Sequence, residues 1–257
     1  MLTPALTFAV LAAARLAQAQ YASTTTFAFA GNALPTGLAN YYSRVNDTKT
    51  VGAPYDHEFE PSMSYVEGGF LNLLVPGGQQ NDQVIWSAEV QTTFTVSAAR
   101  VDTWAILTET HGVCNGIFSY DGDTSISGGI HESDIEWLSD PNSLAFTRPG
   151  IARALYYTNQ NTKAVGSPGT SGPGVPPADA TSKVHKYSIE WRNGLTSFFV
   201  DDVPQYTFDT NVPTTTKAVW VWNNWANGDP NWSVGPPATD AVFKIQKIVM
   251  AYNPGSK

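Results

Sequence analysis

Beyond its first nineteen residues the chain shows almost no helical periodicity. Instead, short runs rich in Val, Ile, Thr, Phe, Tyr and Trp recur between clusters of Gly, Pro, Asn and Asp. The runs Gly69 to Val75, Val84 to Thr95, Gly116 to Tyr120, His131 to Leu138, Ala152 to Thr158, His185 to Trp191, Thr196 to Val200, Ala218 to Trp225 and Ala241 to Tyr252 read as strands. Strands of this kind cover their apolar faces by stacking sheet on sheet, so an all-β sandwich is expected. Only 14% of the 257 residues are charged while 12% are aromatic, which excludes an ionic disordered chain, a coiled coil and a collagen-like repeat. The formal charge of -8 leaves no general attraction to a phosphate backbone or an anionic membrane surface, so no nucleic acid or membrane partner is expected.

Residues 1–19 pass through Leu6, Phe8, Val10 and Leu11 into an Ala-rich stretch ending Ala17-Gln18-Ala19. This reads as a secretory signal peptide cleaved before Gln20, with residues 20–257 forming a single soluble domain, secreted to the extracellular space or cell wall. Cys114 has no second cysteine to pair with, and its neighbours Val113, Ile117 and Phe118 make it a buried, inert thiol in this reading. The Gly/Pro-rich segment from Gly166 to Pro177 is expected to be a long surface loop without regular structure, a domain linker being the other reading. Asn46-Asp47-Thr48 and Asn231-Trp232-Ser233 are glycosylation sequons, the second expected to be the more enclosed.

The chemistry concentrates in His131-Glu132-Ser133-Asp134-Ile135-Glu136-Trp137-Leu138. Alternation along a strand puts Glu132, Asp134 and Glu136 on one face and Ser133, Ile135 and Trp137 on the other, core-facing one. A row of like charges is costly, and residues chosen for solubility alone would not require it. Two carboxyls flanking a glycosidic bond divide the work of its hydrolysis, and a third acid between them holds a proton and separates their pKa values. A solvated acidic face and an oxygen-rich calcium site are the competing readings of the three acids. His57, His111 and His185 show no metal-ligand spacing, and His131 is expected to be structural.

Glu132-Ser133-Asp134-Ile135-Glu136-Trp137 resembles the E-x-D-x-E signature of glycoside hydrolase family 16, the laminarinase, lichenase and cell-wall transglycosylase group. The segments Ser87-Ala88-Glu89, Gly112 to Tyr120, Leu155 to Asn159, His185 to Trp191, Phe199 to Asp202 and Trp225 to Pro237 match in the family's order, so the resemblance spans roughly residues 60 to 253. It implies a concanavalin A-like β-jelly roll with a concave substrate groove. It also implies Glu132 as nucleophile, Glu136 as general acid/base and Asp134 as assisting acid. Glu89, Tyr120, Tyr157, Asn223, Trp225 and Trp232 would line the groove, with Trp220, Trp222 and Trp191 in the core.

The implied activity is a retaining endo-β-glucanase acting on a β-1,3 or mixed β-1,3/1,4 glucan, as a monomer and with no required cofactor. Calcium binding away from the groove occurs in some relatives, but no ligand set is legible here. The same acids serve a transglycosylase, and a non-catalytic, lectin-like glucan-binding protein is the alternative of another class. Ser133 stands where a branched apolar residue is usual, Ile130 where many lichenases have Trp, and Gln91 where Arg is frequent. These departures leave the three acids intact.

Overall fold

The computed structural model describes residues 21–80, 84–122, 129–145, 153–163 and 168–256. The expected leader, Gly128 and part of the Gly/Pro-rich segment lie outside these residues. The first strands are β1 (Ser23–Ala28), β2 (Leu38–Asn40), β3 (Ser43–Val45), β4 (Asp56–Phe59), β5 (Ser64–Glu67), β6 (Phe70–Val75), β7 (Val84–Thr92) and β8 (Val96–Ile106), with a one-turn helix α1 (Asp47–Thr50) between β3 and β4. They are followed by β9 (Cys114–Asp121), β10 (His131–Leu138), β11 (Ala154–Asn159), β12 (Thr170–Gly174), β13 (His185–Arg192), β14 (Leu195–Val200), β15 (Val203–Phe208), β16 (Val219–Trp225) and β17 (Ala241–Pro254).

Two sheets stack in the expected sandwich. One runs β12-β11-β10-β9-β16-β7-β4-β3 with β2 also on β7, and the other runs β15-β14-β13-β8-β17-β6-β5 with β1 on β17. Neighbours are antiparallel except β4, which lies parallel to β7 and carries β3 outward. Between the sheets Trp220, Trp222, Tyr157, Tyr187, Phe198, Phe243, Leu71, Leu73 and Ile135 are fully buried and belong to one continuous apolar core. Trp191 is 3% exposed in the same core, as its sequence position implies.

Several polar groups trapped in this core are paired across it, although the Tyr157 and Tyr187 hydroxyls and the Trp220 indole N–H are buried without a partner among the described residues. The Asn224 amide donates to the Leu73 and Ala241 carbonyls, each at 2.9 Å, and accepts from Asn115 at 2.9 Å. The indoles of Trp222, Trp137 and Trp191 donate to Thr103 Oγ1, Thr108 O and Pro213 O. Beneath the acidic strand, Ser133 Oγ donates to Asn159 Oδ1 at 2.7 Å and lies 3.3 Å from Thr196 Oγ1 on the opposite sheet. His131 is 2% exposed and its Nδ1 accepts from the Thr214 N–H, a buried position on the core face of β10.

Several strands lie outside the runs read from the sequence, and two of them bear on the packing. The longest of them, β8, is central in its sheet, hydrogen-bonded to both β13 and β17. Its inward face is Ala99, Val101, Thr103 and Ala105, while Arg100 points outward into a cluster with Asp102, Glu190, Asp202 and the Phe199 ring. The Gly/Pro-rich segment is not wholly a loop, because Thr170–Gly174 pairs with β11 as the edge strand β12. An edge strand tolerates proline, since one row of its N–H groups needs no partner. Glycine is required there: a Cβ on Gly172 would stand 2.5 Å from the Tyr206 ring, and one on Gly174 2.7 Å from the Tyr157 ring.

Replacing Ser133 with Ala leaves the buried Asn159 Oδ1 short of a donor, so the variant should lose about 1–3 kcal/mol of stability. Urea unfolding would show this as a lower midpoint at unchanged slope, and an unchanged midpoint would show the contact to be dispensable.

Candidate active site

The outer face of the sheet containing β10 carries a groove of about 520 Å³. Its floor includes Glu132, Asp134 and Glu136 from β10, Gly116, Phe118 and Tyr120 from β9, and Val219, Val221, Asn223 and Trp225 from β16. The alternation is as expected: Ser133 is 0%, Ile135 1% and Trp137 2% exposed on the core face. Hydrogen bonding to β9 on one side and β11 on the other fixes β10 in this register.

The acids are held apart in chemistry by their partners. Asp134 is 1% exposed, and burial, with the charges of Glu132 and Glu136 beside it, pushes its pKa well above the ordinary carboxylate range. Its retained proton is donated to Glu132, while Gln160 Nε2 donates to Asp134 Oδ2 at 3.3 Å. Burial also raises the Glu132 pKa, and the bond from Asp134 opposes that rise. Burial raises the Glu136 pKa, and two donors on its Oε1, the Trp232 indole N–H at 3.1 Å and the Cys114 S–H at 3.3 Å, oppose part of that rise. The strand thus presents one acid kept protonated between two whose charge is separately supported.

The other predicted groove residues fall into two groups. Glu89 on β7 sits opposite Asn223 and accepts its Nδ2–H at 3.2 Å. Asn223 Oδ1 is buried without a partner beside Gly116, where a Cβ would come within 2.4 Å of it. Tyr120, opposite Glu132 in register, is 39% exposed and open to the groove. Trp225 lines the groove with its ring stacked on His57, centroids 5.1 Å apart. Trp232 turns its N–H edge to Glu136, with its ring tilted against Tyr156 at 5.0 Å.

Tyr157 is a correction. It is fully buried in the core, against Phe198 at 5.4 Å and Tyr206 at 5.5 Å. Its register partner is Ile135, and side chains directly opposite in a sheet share a face, so the groove side belongs to Tyr156, opposite Glu136.

Sequence reasoning missed the wall built by β3 and β4. His57 and Phe59 line the groove, and His57 Nδ1 is hydrogen-bonded to the buried carboxylate of Asp47 in α1. Asp47 follows the first sequon asparagine, Asn46, which is exposed. Asn231 is also exposed, contrary to expectation, and it is Ser233 of that sequon that is buried, bonded to Asn227. Among the described residues no group of three or more His, Cys, Asp or Glu side chains is arranged to hold a metal ion.

The family profile described as glycosyl hydrolases family 16 matches residues 58–240, which include every acid of the groove. The chain belongs to glycosyl hydrolase family 16. A comparison with curated protein sequences gives no match. Among solved structures, the Bacillus licheniformis beta-glucanase superposes with a TM-score of 0.68 at 14% identity, over 89% of this chain and 98% of that one. LamAcat from Zobellia galactanivorans gives 0.64 at 16% identity over 91% and 99%. The endo-beta-1,3-glucanase from Pyrococcus furiosus gives 0.64 at 15% over 91% and 95%. At these identities the shared property is the family 16 jelly roll.

Glu89 provides a test of this electrostatic arrangement. Burial raises its pKa from the ordinary 4.5 to about 7, with the Asn223 bond opposing and the Glu132 charge adding to the rise. Between these values the folded state binds more proton than the unfolded state, so this group's contribution to stability falls as pH rises through the window. Glu89→Gln has no such loss, so its stability relative to the parent should improve between pH 4.5 and pH 7, by up to about 3 kcal/mol. Denaturant titrations of both proteins across that range would check it.

Proposed function

We propose that the protein is a secreted, retaining endo-β-glucanase that hydrolyses β-1,3 or mixed β-1,3/1,4 glucans, with residues 1–19 removed on export and no cofactor required. The observation carrying this reading is the three-carboxyl strand face lining the groove, with Glu136 Oε1 held by the Trp232 indole and the Cys114 thiol, and burial pushing the Asp134 pKa well above the ordinary carboxylate range supports it. The names of the structural relatives, a beta-glucanase and an endo-beta-1,3-glucanase among them, support the substrate class.

In the first step Glu136 protonates the departing glycosidic oxygen as Glu132 attacks the anomeric carbon, forming a glycosyl-enzyme. In the second step Glu136 takes a proton from water, which displaces Glu132 and returns the sugar with its original configuration. The proton on Asp134 keeps a third negative charge off the strand and supports the Glu132 anion through its hydrogen bond. Trp225 and Tyr120 offer faces and edges for sugar rings, and the unpaired Asn223 Oδ1 is an acceptor for a sugar hydroxyl.

The test is reducing-end release from laminarin, lichenan, xyloglucan, chitin and agarose, run beside Glu132→Gln. Release from laminarin or lichenan should fall by at least about 10³-fold in the variant while its unfolding midpoint is retained. NMR of the first product should show the β-anomer. Products longer than the donor would instead establish transglycosylation, and binding to intact glucan without release would establish the lectin-like alternative.

A further inference from the structure

Cys114 has more to do than the inert packing its sequence neighbours suggest. It is fully buried on β9, with Leu138 of β10 and Trp225 of β16 as its cross-strand partners, and its side chain lies on the groove face of the sheet. Leu138, Ala154 and Tyr156, with Trp225 and Trp232 packed against them, enclose it in an apolar cluster. Within that cluster its Sγ lies 3.3 Å from Glu136 Oε1, the oxygen that also receives Trp232 Nε1 at 3.1 Å.

An indole N–H can only donate, so Oε1 must serve as acceptor there. The thiol is a donor in its neutral form, and burial, with the Glu136 charge next, keeps it neutral by raising its pKa well above the ordinary value. A carboxyl proton on Oε1 would face two donors, whereas a proton on Oε2 faces none of them. We propose that Cys114 and Trp232 form a two-donor clamp that holds Glu136 Oε1 as the accepting oxygen, so that Oε2 carries the proton to the leaving group. Cys114 is therefore a positioning residue for the acid/base.

Among the described residues, the titratable groups facing Glu136 are Glu132 and Asp134 on its own strand, Cys114 on β9 and Tyr156 on β11. The Tyr156 hydroxyl is engaged with the Ala145 carbonyl. From the loop after β16, Trp232 adds a donor and no charge. Both donors stabilise the carboxylate, so removing either one raises the Glu136 pKa and keeps the acid protonated to higher pH.

The inference rests on Glu136 being the acid/base, and the experiment separates the two. For Cys114→Ala, Cys114→Ser and Trp232→Phe, kcat/KM is measured against pH on two substrates. One is the polymeric glucan, and the other is a dinitrophenyl β-oligoglucoside whose leaving group needs no protonation. The Ala and Phe variants should lose roughly fivefold on the polymer and clearly less on the activated substrate, with the alkaline limb on the polymer moved upward by about half a unit. Cys114→Ser keeps a donor and should restore both polymer rate and limb.

No loss, equal losses on the two substrates or an unmoved limb would overturn the clamp and leave Cys114 as packing. The control is Glu136→Ala. Retention of full activity on the polymer in that variant would remove the acid/base assignment itself.

Discussion

Everything in this molecule that bears on chemistry depends on taking three carboxyls of one strand out of bulk water together. Their mutual repulsion and lost hydration are costs that call for local remedies. A proton on Asp134, its bond to Glu132 and two donors on Glu136 are those remedies. The underside of the strand is anchored in the sandwich. Ile135 and Trp137 are locked into the core, and Ser133 is tied to Asn159 and Thr196 through the thickness of the sandwich.

The acids, their common face and the sandwich were legible because they follow from period-two alternation, which is local. Alternation along β16 also agrees with the resemblance in placing Trp220 and Trp222 in the core and Asn223 and Trp225 in the groove. The resemblance named Tyr157 for the groove, and only the pairing of β11 with β10 shows that its neighbour Tyr156 takes that side. β8 was hidden because Arg100 and Asp102 look like loop chemistry until Glu190, Asp202 and Phe199, distant in sequence, close around them. β12 was hidden because proline and glycine argue against a strand except at an edge, and edges are a property of the whole sheet.

What sequence reasoning did not reach are the contacts in which one side chain meets another far along the chain. His57 is ordinary in its own segment, and it matters because Trp225, far along the chain, lies flat against it while Asp47 grips its other side. Cys114 likewise looks like apolar filler until the loop bearing Trp232 closes over Glu136. In both cases a buried polar atom meets a functional group across a tertiary contact, a relation with no periodic trace in the chain.

The ends of the two sheets have a consequence for the life of the protein in concentrated solution. At one end the sheets finish on β12 and β15, carrying Pro173 and Pro204, which lack the amide hydrogen that an incoming strand would need. At the other end they finish on β3 and β5, of three and four residues, too short to template much pairing. Among the described residues, the four strands that end the two sheet paths therefore offer an incoming strand little to pair with, and resistance to edge-to-edge aggregation at those ends is written into them.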